Sequence, residues 1–184
     1  EKFEFIFQTE NLNHIQIRES GIKADLFIAN DDNDLLIVFG GSEGDNKTSS
    51  LLASVLASKG FNTCAISYFG GEGQRKKLTK IPLEIIDSTL VFVEKEMGEI
   101  ENLYIHGSSK GAELALLYAS LHAEIKCLIA IAPSSVVLQT FNRSPFSSWT
   151  FEGEEVDYMK NNLDGKTLFD KYNRRISSHY YFPA

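Results

Sequence analysis

The sequence has little of what marks disulfide-rich, membrane-spanning or nucleic-acid-binding proteins. Its 184 residues include two cysteines, and 18 Lys and Arg stand against 25 Asp and Glu, for a formal charge of −7. Nucleic-acid and anionic-membrane surfaces need clustered basic residues, so this balance argues against both kinds of partner. No run of about 18 apolar residues predicts a transmembrane helix. A small molecule or another protein is the expected partner.

Targeting and metal-binding signals are also missing. The first residues, EKFEFIF, lack the basic start and the small-residue cleavage site of a signal peptide, so the expected location is the cytoplasm. Cys64 and Cys127 each lie in an apolar, strand-like run, which predicts two buried small hydrophobes rather than a disulfide or a metal pair. We expect no cofactor and no metal, and the sequence does not indicate an oligomeric state.

The apolar residues, 43% of the chain, suffice for the core of one domain over residues 1–184. Two alternating segments joined at Gly21 predict an antiparallel hairpin. Buried strands then alternate with helical patterns, in which Gly60 and Gly98 mark helix ends and Pro82 lies near a helix start. The strand-like runs are LLIVFGG, FNTCAISYF, NLYIH and KCLIAIAP. This order predicts a three-layer α/β sandwich with a mostly parallel central sheet.

The alternation stops after Pro133. Residues 134–160 are polar and aromatic without a sustained period, so we expect a loop or lid-like insertion there, followed by a short helix around 165–172. No further buried-strand pattern follows Ala132. The chain begins at Glu1 rather than Met, and we expect it to be trimmed at one end at least.

Ser109 is the candidate nucleophile, because Gly107, Ser109 and Gly111 form a GxSxG pattern between a strand and a helix. Glycine two residues to either side permits a tight turn, which holds the serine in a strained conformation at a helix N-terminus. The Lys110 N–H is then free to stabilise an oxyanion. Ser108 lies off the central position of the pattern. The alternative reading is a tight turn with an idle serine.

An oxyanion hole needs a second donor, and the glycine-rich loop in LLIVFGGSEG supplies it after an earlier strand. The N–H of Gly41 or that of Ser42 is the expected donor. A phosphate-binding loop is disfavoured, because the segment fits no nucleotide-binding pattern and Glu43 would repel a phosphate.

Four segments carry a family resemblance: FGGSEG, SYFGGEGQRKKLTKIPLEII, HGSSKGAELAL and IAPSSVV. Together they resemble the C-terminal catalytic domain shared by acyl-CoA thioesterases and bile acid-CoA:amino acid N-acyltransferases, an α/β-hydrolase family. The resemblance runs from about Leu35 to Phe151. It implies an α/β-hydrolase fold and an acyl-CoA substrate for Ser109. Family members that hydrolyse carry serine at this position and the N-acyltransferases carry cysteine, so the resemblance favours a thioesterase.

The base that would activate Ser109 is harder to find. His122 lies 13 residues along the same predicted helix, about 20 Å away. His106 is predicted in the strand, His14 in the hairpin and His179 in an uninformative tail. Six acidic residues that follow Ser109 end no buried strand: Glu152, Glu154, Glu155, Asp157, Asp164 and Asp170. Asp87 precedes the nucleophile on a helix. In the resembled family the acid and histidine follow two further strands, so we expect both beyond Ala184 and a domain that is incomplete at its C-terminus.

Two other clusters bear on the substrate. A basic loop of Arg75, Lys76, Lys77 and Lys80 could meet the phosphates of coenzyme A, or be a solvated loop. An aromatic stretch of Phe141, Phe146, Trp149 and Phe151 could line an acyl pocket, or be core. An esterase or peptidase of the same fold and a catalytically inactive binding module remain as alternative functions.

Overall fold

The computed structural model describes residues 12–139 and 145–160. His179, Asp164, Asp170, Phe141 and the helix expected around 165–172 lie outside the described residues. Within them, no helix combines the length and the apolar character that a membrane crossing requires.

A six-stranded sheet in the order β1-β2-β4-β3-β6-β7 forms the centre of the fold. Its strands are β1 Asn13–Glu19, β2 Ile22–Ile28, β3 Asp34–Phe39, β4 Thr63–Ser67, β6 Asn102–Ser108 and β7 Cys127–Ile131. β2 is antiparallel to both of its neighbours, and the other four strands are parallel. The predicted hairpin is therefore present, with positive φ at Ser20 and Gly21 in its tight turn.

Three helices cover the sheet from two sides: α1 Lys47–Ala57, α2 Ile85–Met97 and α3 Lys110–Leu121. α2 and α3 pack on one face, where Ile86 and Leu114 join the main core with Ile37 and Ile105. α1 packs on the other face, where its alanines contact Val38. The predicted three-layer α/β sandwich with a mostly parallel sheet is confirmed.

A second, small sheet has the order β5-β8-β9. β5 (Ile81–Pro82) pairs in parallel with β8 (Trp149–Phe151), and β9 (Glu154–Glu155) pairs antiparallel with β8. Pro82 therefore lies in a short strand, and α2 begins three residues later, at Ile85. Part of the segment predicted as a loop or lid is thus ordered by pairing with a distant segment, which sequence periodicity does not detect.

The prediction of burial for both cysteines is wrong for Cys127, which is exposed, and right for Cys64. Ile129 and Ile131 on the same strand are each 51% exposed. These three side chains share the face that α1 covers at the other end of the sheet, and β7 lies at the sheet edge in the described structure. An apolar run predicts a strand, but burial also needs a covering element.

Candidate active site

Ser109 lies at the junction of β6 and α3, in the order that a nucleophile elbow requires. Its φ of 52° and ψ of −115° are strained for a residue with a side chain. The Ser109 N–H donates to the Ile131 carbonyl at 2.8 Å, which ties the turn to the end of β7.

The two glycines of the elbow are required because a side chain would have no room there, and not because their backbone conformation excludes other residues. A Cβ on Gly107 would stand 2.4 Å from the carbonyl oxygen of Gly111, and one on Gly111 would stand 2.0 Å from the carbonyl oxygen of Gly40. Both distances are far inside van der Waals contact. The strand, the helix and the loop after β3 therefore meet at backbone distance around Ser109.

The loop after β3 brings Gly41 next to the serine. A Cβ on Gly41 would stand 3.5 Å from the Cβ of Ser109. The Lys110 N–H belongs to the first turn of α3, where amides have no intrahelical acceptor. The backbones of two elements thus lie beside one side chain, and their Lys110 and Gly41 amides are the candidate donors to an oxyanion.

The Tyr68 hydroxyl fixes the direction of both candidate donors in this loop. It lies 3.0 Å from the Gly40 carbonyl oxygen and also hydrogen bonds the Gly41 carbonyl. In a trans peptide the C=O and the next N–H point in opposite directions, so the N–H groups of Gly41 and Ser42 are directed away from Tyr68. Burial, with Glu43 and Glu113 nearby, raises the pKa of Tyr68, so its hydroxyl remains a donor.

The far end of the same loop is held by β2 and by the segment that follows β4. The Asp45 N–H donates to Phe69 O at 2.8 Å, and the Asp45 carboxylate pairs with Lys23. This hydrogen bond from Lys23 is the main cause of the lowered pKa of Asp45. Asn46 Nδ2 donates to Asp25 Oδ2 at 2.7 Å. The loop beside Ser109 is therefore fixed at both ends.

Glu43 lies over the glycine pair. Its carboxylate oxygens are 2.7 Å and 2.8 Å from the positions that a Cβ on Gly40 and one on Gly41 would occupy. A negative charge at this place disfavours phosphate in the loop, in agreement with the sequence argument.

Sequence reasoning missed a buried ion pair immediately after Ser109. Lys110 Nζ donates to Glu113 Oε1 at 2.5 Å, and the two side chains are 4% and 3% exposed. Trp149 Nε1 donates to the same carboxylate oxygen at 2.8 Å. Burial lowers the pKa of Lys110, while the charge of Glu113 opposes that shift. A Lys and a Glu three residues apart in the first turn of a helix are normally predicted to be exposed. The local sequence therefore gives no sign that this pair is buried.

The ion pair also holds the chain that follows β7. Lys110 Nζ donates to the Leu138 carbonyl at 2.8 Å, and the Leu138 N–H donates to Glu113 Oε2 at 3.2 Å. Both polar groups of one residue are thus bound by the first turn of α3. Together with Trp149, they fix residues of the 134–160 segment beside the elbow.

None of the histidines in the described ranges forms a hydrogen bond with Ser109. His106 lies within β6 in register with Val38 and Ile129, on the face opposite α3. His122 follows the far end of α3 and pairs with Glu124 at 2.9 Å, and His14 stacks on Phe27 in the hairpin.

Two of the candidate acids have structural partners. Asp87 accepts a hydrogen bond from the Tyr118 hydroxyl at 2.6 Å. Glu155 lies 3.8 Å from Lys80 and accepts from the Ser147 N–H. In the part of the chain that the structure describes, no three His, Cys, Asp or Glu side chains cluster so that they could hold a metal ion.

Within the basic loop, and within the aromatic stretch, the residues differ in burial and in their contacts. Lys80 lies 4.0 Å from the Phe146 ring centroid and pairs with Glu155, whereas the three preceding basic residues, Arg75, Lys76 and Lys77, are exposed. Trp149 is fully buried and Phe151 packs on the core, while Phe146 is 42% exposed. The described aromatics are therefore largely core.

Comparison with known proteins identifies the fold. No family model and no curated protein sequence matches the chain. Two structures of the Pyrococcus furiosus esterase Pf2001 match with TM-scores of 0.51 and 0.53 at 17% and 16% identity, over 67% of this chain and 52% and 49% of theirs. AbyA5 matches with a TM-score of 0.52 at 16% identity, over 67% of this chain and 38% of its own.

The chain therefore spans about half or less of the solved structures it matches. Its sheet order and its strand-turn-helix junction at Ser109 are those of the α/β-hydrolase fold, and these structures share that fold. The molecule is an α/β-hydrolase-fold domain, of which the described residues form part.

Proposed function

We propose that the protein is a serine hydrolase that cleaves acyl-CoA thioesters through an acyl-enzyme on Ser109. The observation that carries this proposal is the position of Ser109. It is strained at φ 52° at the N-terminus of α3, with the Gly41 loop in contact beside it. The name of the Pyrococcus furiosus esterase supports a hydrolase, and the resemblance to acyl-CoA thioesterases supports the thioester.

In this mechanism the Ser109 hydroxyl attacks the thioester carbonyl carbon and loses its proton to a base. The N–H groups of Lys110 and Gly41 stabilise the negative charge on the carbonyl oxygen. The tetrahedral intermediate collapses, the C–S bond breaks, and protonated coenzyme A leaves. Water then attacks the acyl-enzyme ester and releases the carboxylic acid and Ser109. The resemblance implies that the histidine base and its acid follow the described strands in sequence.

Ser108 and Ser109 offer a matched pair of variants. Ser109→Ala in the full-length protein should lower turnover of a panel of acyl-CoAs by about 10⁶-fold, as loss of a nucleophile does in serine proteases. It should also abolish labelling by a fluorophosphonate. Ser108→Ala removes the neighbouring hydroxyl and should retain labelling. Undiminished turnover in Ser109→Ala would rule out this nucleophile.

Two other readings give different results in the same assays. An esterase or peptidase would turn over oxygen esters or peptides in preference to thioesters. A catalytically inactive binding module would show no fluorophosphonate labelling of the full-length wild type. The absence of nucleic-acid and membrane partners and the cytoplasmic location remain predictions from composition.

A further inference from the structure

A cavity of about 580 Å³ opens between the β1–β2 turn, the end of β4, β5 and the first half of α2. This volume lies within the range of small-molecule sites, about 300–1,000 Å³. Most of the lining is apolar and includes Ile22, Tyr68, Ile81, Ile85 and Phe92. Ser20 and Ser88 also line it, and a serine hydroxyl can bond to amide groups.

The cavity lies at the same edge of the sheet as Ser109. Lys23, at the start of β2, pairs with Ser67 at the end of β4, so the β1–β2 turn lies at the carboxyl ends of the parallel strands. β4 is two strands from β6, which is about 10 Å at normal sheet spacing. Tyr68 connects the two places, since it lines the cavity and bonds the loop beside Ser109.

The loop that brings Arg75 to the cavity holds three consecutive exposed basic residues, in a protein of net charge −7. Arg75 lines the cavity, and Lys76 and Lys77 follow it, all three exposed. Among the described residues, no hydrogen bond or ion pair occupies the Arg75 guanidinium. Carboxylates also lie close to the cavity. Glu84 also lines the cavity and accepts from the Glu152 N–H at 2.6 Å, and Glu72 precedes the basic residues in the same loop.

We propose that this cavity is the subsite for the coenzyme A arm of the substrate, an assignment that rests on the proposed function. The pantetheine chain lies along the apolar wall with its amides at the serine hydroxyls. The phosphates bind at Arg75, Lys76 and Lys77, where charge-assisted hydrogen bonds to phosphate are strong. The thioester then reaches Ser109 across β4 and β3.

The protein contains one tryptophan, Trp149, which lies next to the cavity wall. The Trp149 ring centroid lies 5.5 Å from that of Tyr68 in the cavity wall. Titration of the Ser109→Ala protein with coenzyme A alone should give a saturable change in tryptophan fluorescence. Arg75→Glu should weaken this binding roughly tenfold or more, the size of a lost charge-assisted hydrogen bond. Lys59→Glu, an equal charge change at an exposed site after α1, should leave it unchanged.

A second pair of variants tests the cavity itself. Ser88→Phe fills it and should weaken coenzyme A binding, whereas Ser88→Ala should weaken it little. Equal binding in wild type, Arg75→Glu and Ser88→Phe would overturn the assignment. A response to laurate but none to coenzyme A would also overturn it, because the acyl chain would then occupy the cavity.

Wild-type labelling by the fluorophosphonate separates this proposal from the proposed function. Labelling without coenzyme A binding defeats the subsite and leaves the serine hydrolase standing. Coenzyme A binding without labelling of Ser109 defeats the hydrolase and supports the cavity as a coenzyme A site.

Discussion

The two faces of β6 and β7 differ in what covers them. On the α3 face, Leu103 and Ile105 are buried in the main core. The same side holds a buried ion pair within the first turn of α3. On the opposite face, Ile129 and Ile131 are half exposed. His106 on that face is buried with no hydrogen-bond partner for Nδ1 among the described residues.

The two faces therefore play different parts in building the site. The packed face positions the serine, because α3, the loop after β3, and Leu138 and Trp149 all meet there. On the other face, no described side chain forms a hydrogen bond with Ser109, and the link to the serine is the backbone bond from the Ser109 N–H to the Ile131 carbonyl. Substitutions on the packed face should therefore affect both stability and activity, and those on the open face should have small effects.

The largest effect is expected at the ion pair. Glu113→Gln leaves the charge of Lys110 buried without its partner, which should lower the free energy of unfolding by about 3–5 kcal/mol. Urea unfolding measures the loss. The control is the double variant Lys110→Met with Glu113→Gln, which removes both charges and should recover most of the stability. Equal stability of Glu113→Gln and wild type would show that the two faces do not differ in this way.

A matched pair of isoleucines compares the faces directly. Ile105 is fully buried and Ile129 is 51% exposed. Ile105→Val should cost about 0.5–1.5 kcal/mol, whereas Ile129→Val should change stability by less than about 0.5 kcal/mol. Thermal unfolding of the two variants side by side measures the contrast. Similar losses at both positions would mean that Ile129 is covered in solution.

The smallest expected effect is on the pH dependence of stability, through His106. Burial lowers the pKa of His106 below its ordinary value of 6.5. As the pH falls through about 6.5, the His106 side chain binds a proton in the unfolded chain but not in the folded protein. The free energy of unfolding therefore decreases as the pH is lowered through that window. The free energy of unfolding of His106→Leu should therefore vary less than that of the wild type between neutral pH and a pH of about 5. An unchanged slope in the variant would assign the dependence to other groups.

Local sequence signals predicted much of the framework and the centre of the site. Periodicity indicates the strands and helices, and the spacing of Gly107, Ser109 and Gly111 reflects a steric need at the turn itself. The roles of Ser109, Lys110 and Gly41 in catalysis stay predictions. The Glu113 network was not predictable, because Trp149 lies 36 residues away in sequence. Cys127 was misjudged because burial depends on what covers a strand.

The strand order also determines when the Ser109 geometry can form during synthesis. β3 lies between β4 and β6, and its Asp34 contacts Asn102, 68 residues later. Closing so long a loop costs entropy before the pairing stabilises it. The Ser109 amide also needs the carbonyl of Ile131, which the ribosome adds 22 residues after the serine. A nascent chain that ends within α3 contains the whole GxSxG pattern but lacks this acceptor, so the elbow is completed only after β7 has been made.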